Sequence, residues 1–388
     1  MLSPTTRAVI RHRTRTLRLA VQETLKALER PTIPTVTVVE WLDEMSPWPR
    51  DGFGVDRMRL LLAELGDPQN TYPAIHVVGT NGKSTATVTI EQLLLAEGLS
   101  VGSTVSPHVA SWSERIRVNG AEAAFERAVA RVRAEAERLQ ATQFEVVTAA
   151  ALTAFADAAV DVAVVEAGLG GRYDATNVLR TRVVLLTNVG LEHTDVLGDT
   201  LEAIATEKLA VAQADAVVVL PDRTYAHLVE AREVRIGGAR EAAEAFVGHP
   251  IAAAPEVVLP GRFERREGEI RDGAHNPDGA RHLVAKLDGD DHTIVASILA
   301  DKDVDAMLRI LRRAGTRFVA TTSSSTRALP AADLAERARG HFDHVEAVAD
   351  PRAAVARAHE LGEPVLVTGS LYLLGDLAQE EQRASWRG

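Results

Sequence analysis

At 388 residues, 46% of them apolar and 25% charged, the chain has the make-up of a soluble globular protein with room for two domains. It contains no cysteine, which excludes structural disulfides and thiolate metal centres, and its net charge of −11 argues against nucleic-acid binding through a basic surface. No apolar run approaches the roughly 20 residues that cross a bilayer, so the expectation is a cytoplasmic monomer without membrane or nucleic-acid partners.

The chain opens with Arg7, Arg11, Arg13, Arg15 and Arg18 and no acid before Glu23. Leu17, Val21, Leu25 and Leu28 recur at helical spacing. Such a start is either a transit-type segment or a solvated helix leading into the first domain, and the second reading is favoured. Farther on, strand-like and helix-like stretches alternate. Ala74–Val78 is an apolar run ending in Gly79-Thr80-Asn81-Gly82-Lys83-Ser84, and a helical pattern continues through Leu95. Further runs lie at Asp161–Val165, Val183–Val189 and Val217–Leu220. Continuous β-branched runs separated by helices predict a mostly parallel sheet covered on both faces. Pro255, Pro260 and Gly261 predict a hinge. Beyond it, Thr293–Ile298, Phe318–Thr321, Val345–Val348 and Val365–Thr368 predict a second, smaller α/β domain.

The loop Gly79–Ser84 has the chemistry of a phosphate site. Its glycines let backbone N–H groups turn towards a phosphate, and the helix N-terminus adds partial positive charge. Lys83 can neutralise phosphate oxygens, and a neighbouring hydroxyl can ligate Mg²⁺. Val77 stands where a standard Walker loop has its first glycine, and the loop alone does not separate a kinase, an ATPase and a ligase. Glu166 ends one strand and His193 follows the next, at the sheet edge where open α/β folds bind ligands. Together they are metal-site candidates, the plain alternatives being a solvated glutamate and a structural histidine. Asp199 and Glu202 predict a capping box. On the helix it opens, Leu201, Ile204, Lys208 and Val211 share one apolar face. Either Lys208 is buried, loses basicity and can capture CO₂ as a carbamate, or its stem packs while its head reaches water. Spacing leaves both readings open.

Taken in order, the segments resemble folylpolyglutamate synthase/dihydrofolate synthase of the Mur ligase family. The resemblance rests on His76–Lys83, Ser106-Pro107-His108, Glu114–Val118, Phe144-Glu145 with Thr148, and Glu166–Asn177. It continues through Glu192-His193-Thr194, Glu207-Lys208, Leu259–Phe263, Asp272–Pro277, Asp301-Lys302-Asp303 and Thr368–Tyr372. It implies a P-loop-type ATP-binding domain over 36–258, preceded by a basic extension over 1–35. A hinge over 259–271 and a Rossmann-like glutamate ligase domain over 272–388 follow. The implied reaction uses ATP and Mg²⁺ to activate a carboxylate as an acyl phosphate, which the amino group of L-glutamate attacks. The carboxylate belongs to dihydropteroate or a reduced folate. By the same resemblance Gly79, Thr80, Asn81, Gly82, Lys83 and Ser84 hold the phosphates, and Arg262 and Asp272 bind ATP. Ser106 and Glu166 ligate one Mg²⁺, and His193 and carbamylated Lys208 a second. Thr142, Tyr173, Asp174 and Ala175 line the pterin side. Three departures stand out: Ser84 where the family has glycine, a short 222–258 segment without the usual ATP-binding asparagine, and Leu209-Ala210 after the lysine. They leave two alternatives, a ligase of cell-wall precursors and a non-catalytic binding paralogue.

Overall fold

A computed structural model describes residues 37–47, 49, 52–289 and 291–385. The arginine-rich start lies outside these residues. The chain divides into two compact units, Met1–Glu44 and Met45–Gly388. In the described part of the first, Thr37 and Glu40 form a capping box that opens the helix Val38–Asp43.

The second unit holds two sheets. The larger contains β1 (Ala74–Val78), β2 (Val101–Thr104), β3 (Ile116–Val118), β4 (Ala121–Glu122), β5 (Val162–Glu166), β6 (Thr181–Leu186), β7 (Val217–Leu220) and β8 (Glu233–Ile236). Their order is β4-β3-β2-β5-β1-β6-β7-β8. The strands from β2 to β8 in that order run parallel, while β3 and β4 form an antiparallel edge. Every residue of β1, β5 and β7 is buried. That is why these strands read as unbroken apolar runs instead of alternating ones. The helix Lys83–Ala96 covers one face through Ile90, Leu93 and Leu94. Full burial of each such side chain contributes about 1.5–3 kcal/mol.

The smaller sheet contains β9 (Glu264–Arg266), β10 (Glu269–Arg271), β11 (Thr293–Ala296), β12 (Arg317–Ala320), β13 (His344–Ala347) and β14 (Val365–Thr368), in the order β13-β12-β11-β14-β10-β9. The mixed α/β architecture with parallel-dominated sheets is the one expected. The stretch read as a hinge over 259–271 differs: its second half is an antiparallel hairpin of the second sheet. Gly268, at φ 67, makes the turn. The strand expected to reach Val189 ends at Leu186. Beyond it, the side chains of Thr187 and Asn188 hold the Gly79–Ser84 loop.

Candidate active site

The carboxyl ends of β1, β5 and β6 lie side by side, and three polar segments leave them. From β1 comes the loop Gly79–Gly82, with Gly82 as the left-handed N-cap of the helix Lys83–Ala96. Gly79 adopts φ 149, and a Cβ there would lie 1.9 Å from Thr187 Oγ1, so only glycine fits. Thr187 Oγ1 donates to Asn81 O at 2.7 Å, and Asn188 Oδ1 accepts from Asn81 N at 2.9 Å. The loop is thus fixed from β6, and helix amides stand at its end as an anion site requires.

Lys83 folds back over the loop, its Nζ donating to Gly79 O at 3.1 Å and Thr80 O at 3.3 Å. Glu166, the last residue of β5, is buried beside it. Its Oε2 accepts from Ser106 N at 3.0 Å, and Ser84 also hydrogen-bonds to the carboxylate. Burial raises the Glu166 pKa, against the opposing pull of Lys83, the Ser106 and Ser84 bonds and Arg262. A buried carboxylate bonded by the Ser84 hydroxyl and the Ser106 backbone N–H offers hard oxygen donors of the kind that suit Mg²⁺.

Lys208 belongs to the helix Leu201–Leu209, only 4% exposed, and its Nζ donates to Gly79 O at 2.9 Å. The reading in which its head reaches water is therefore overturned. Burial, then the nearby Lys83 ammonium, lower its pKa to about 7, against Glu192, Asp174 and Glu207. Two lysines thus donate to one carbonyl oxygen. The cap of this helix is also corrected. Thr200, not Asp199, accepts from Ala203 N at 3.1 Å, because its extended backbone puts the hydroxyl one residue nearer the first turn. Leu201, expected on the apolar face, is exposed at the helix start.

His193 caps the short helix Thr194–Leu197 with a left-handed backbone, and its side chain is partly exposed. Burial lowers its pKa first, opposed by Glu192 and assisted by Lys302, Lys208 and His275. Glu192 is a residue whose part the sequence did not reveal. Its Oε1 lies 3.2 Å from Lys302 Nζ and 3.3 Å from His275 Nε2, both from loops of the second sheet. Burial acts to raise the Glu192 pKa, but the His275 bond and the charges of Lys302 and His193 hold it well below the usual carboxylate range. A second link crosses between the sheets where the Asn81 and Asn276 amides exchange hydrogen bonds at 3.4 and 3.2 Å.

The remaining expected residues divide. Arg262 adds its charge at Glu166, and Asp272 accepts from Phe263 N and Ala274 N at 2.8 and 2.9 Å, bracing the connection. Asp174 is buried and accepts from Leu169 N and Thr176 N; burial raises its pKa against those bonds. Ala175 is buried beside it, whereas Tyr173 is exposed. Thr142 caps the helix Gln143–Asp157, its hydroxyl committed to Glu145, while Phe144 two residues on lies against Gly168.

Comparison with known proteins places this geometry in context. Residues 77–237 match the Mur ligase middle domain, and residues 261–371 match the Mur ligase glutamate ligase domain. The chain is 32% identical to the dihydrofolate synthase/folylpolyglutamate synthase of Mycobacterium tuberculosis, over 82% of this chain and 85% of that one. It is 31% identical to the folylpolyglutamate synthase of Lacticaseibacillus casei, covering 93% of that protein. Among solved structures, E. coli FolC in complex with DHPP and ADP superposes with a TM-score of 0.82 at 26% identity, over 91% of this chain and 99% of that one. The Yersinia pestis bifunctional enzyme with AMPPNP and a manganese ion gives 0.78 at 27% identity, over 90% and 98% of the two chains.

Proposed function

The chain belongs to the folylpolyglutamate synthase/dihydrofolate synthase family of Mur ligases, and from that membership we propose that it is an ATP-dependent ligase. It joins the amino group of L-glutamate to the carboxylate of dihydropteroate, of a reduced folate, or of both. One observation carries the reading for this chain's own site: Lys83 and Lys208 both donate to Gly79 O of the phosphate loop, and the Lys83 charge acts on the buried Glu166.

In this reading the amides of Gly79–Ser84 and the Lys83 ammonium bind the ATP phosphates, and Arg262 and Asp272 approach ATP from the second domain. Ser106 and Glu166 hold one Mg²⁺. His193 and Lys208, as its carbamate, hold a second. Bound there, the metal ions neutralise charge on the transferring phosphoryl group, which is the main barrier when both reactants are anionic. Lys83 adds a fixed cation to the same group. The amine of Lys208 is prepared for CO₂ capture by burial, since only a neutral amine is nucleophilic. Thr142, Tyr173, Asp174 and Ala175 form the pterin side. The Glu192 link to Lys302 and His275 draws the two sheets together over the loop and keeps water from the activated carboxylate. The domains run from about residue 36 to about 258, and from the hairpin of β9 and β10 to the C-terminus.

Lys83→Ala tests the assignment of the loop. It is expected to abolish ligation while the unfolding midpoint stays near that of the parent. Ligation at the parent's rate would overturn the assignment.

A further inference from the structure

The loop between β2 and β3 is built as a rigid piece. The Glu114 carboxylate accepts from the N–H groups of Val109, Ala110 and Ser111 at 3.0, 2.6 and 2.7 Å. Arg115 Nε donates to His108 Nδ1 at 2.9 Å, and its guanidinium lies 4.4 Å from the Trp112 ring centre. The His108 ring lies tilted against the same indole, 4.5 Å between centres. At one end of this piece Ser106 N–H holds Glu166.

The other end is seated in the second domain. Val109 is 8% exposed and belongs to the hydrophobic cluster of Val295, Val319, Leu373, Leu374 and Leu377. Its carbonyl oxygen lies where a side chain on Gly375 would stand, 2.8 Å from a Cβ built there. A cleft of about 340 Å³ lined by Val109, Ala110, Pro260, Arg266, Leu374 and Glu381 borders this joint, between the loop and the helix Leu371–Ser385.

We propose that the seat of Val109 on Gly375 positions Ser106 against Glu166, so that the second domain sets the geometry of the first metal position. Val109, Glu114 and Gly375 are positioning residues. The inference rests on the reading of Ser106 and Glu166 as magnesium ligands. The physical ground is that a packed piece shifts as a unit rather than compressing. A displacement at Val109 therefore arrives at Ser106, three residues away, and a ligand held by its neighbours loses metal affinity when they move.

The test compares Gly375→Ala with Ser106→Ala in the full chain. Mn²⁺ is titrated into the enzyme–ADP complex and followed by electron paramagnetic resonance, ADP affinity without metal is measured by calorimetry, and thermal unfolding is recorded. Gly375→Ala is expected to weaken Mn²⁺ binding about tenfold, as is usual when the support of a metal ligand is disturbed. Metal-free ADP affinity and the unfolding midpoint stay near the parent's, and the Mg²⁺ activation constant rises while kcat at saturating Mg²⁺ is kept. If Ser106→Ala weakens Mn²⁺ binding and Gly375→Ala does not, the joint is overturned. If Ser106→Ala binds Mn²⁺ like the parent, the ligand assignment falls, and the joint with it. Should Gly375→Ala fail to fold, Val109→Ala keeps the question open to decision: a weaker loss in the same direction supports the joint, and unchanged Mn²⁺ affinity overturns it.

Discussion

Lys208 shows how much one side chain's surroundings decide. Spacing placed it on an apolar face but left its surroundings open; the structure buries it against Gly79 O, and that burial lowers its pKa to about 7. Outcomes of two kinds follow, first for catalysis and then for stability. Depleting bicarbonate is expected to lower ligation, and restoring it to recover the rate, because the carbamate needs CO₂; a rate indifferent to bicarbonate would remove the carbamate from the account. Lys208→Arg is expected to stay inactive, since a guanidinium remains protonated. The second kind concerns stability. The folded pKa, about 7, is lower than the ordinary lysine value of 10.5, so the unfolded chain binds more protons across that window and stability rises with pH through it. The groups facing the amine are Lys83, Glu192, Asp174 and Glu207. In bicarbonate-free buffer Lys208→Met is therefore expected to gain most over the parent near neutral pH, the gap narrowing towards pH 10. Thermal unfolding at a series of pH values checks the slope, and a gap that widened with pH would contradict it.

At the scale of elements, the buried parallel strands were legible because burial on both faces leaves an unbroken apolar run. The edges were not. Glu233–Ile236 of β8 is mostly exposed, and β3, β4, β9 and β10 span two or three residues each, too short to carry a pattern. The site followed the same division. Loop, strand-end Glu166 and helix-borne Lys208 each carried a local signal. Thr187 and Asn188 carried none, because their part depends on the loop of a neighbouring strand. Gly79 tests that dependence. Gly79→Ala would drive a Cβ into Thr187 Oγ1, and overpacking of this kind costs about 1–3 kcal/mol. Denaturant unfolding should show that loss together with weakened ADP binding; ADP binding at the parent's strength would mean the loop is not held from β6.

For the whole molecule, two links join the sheets across the loop, Glu192 with Lys302 and His275, and Asn81 with Asn276. Neither was legible, since sequence does not say which loops of separate sheets meet. Lys302→Ala leaves the largely buried Glu192 without its ammonium, a loss of about 1–3 kcal/mol or roughly 5- to 160-fold in an equilibrium. It is expected to appear in the KM values for ATP and glutamate, with thermal stability little changed; unaltered KM values would show that the link does not hold the working arrangement. The central claim is tested most directly by product formation. The purified full chain is incubated with ATP, Mg²⁺, L-glutamate and either dihydropteroate or a reduced folate, and the pterin product is weighed by mass spectrometry while phosphate release is counted. The account predicts a product heavier by one glutamyl residue with at least one of the two substrates, and one phosphate released per bond formed. No glutamylated product from either, or amino-acid addition to a UDP-muramoyl substrate instead, would contradict it.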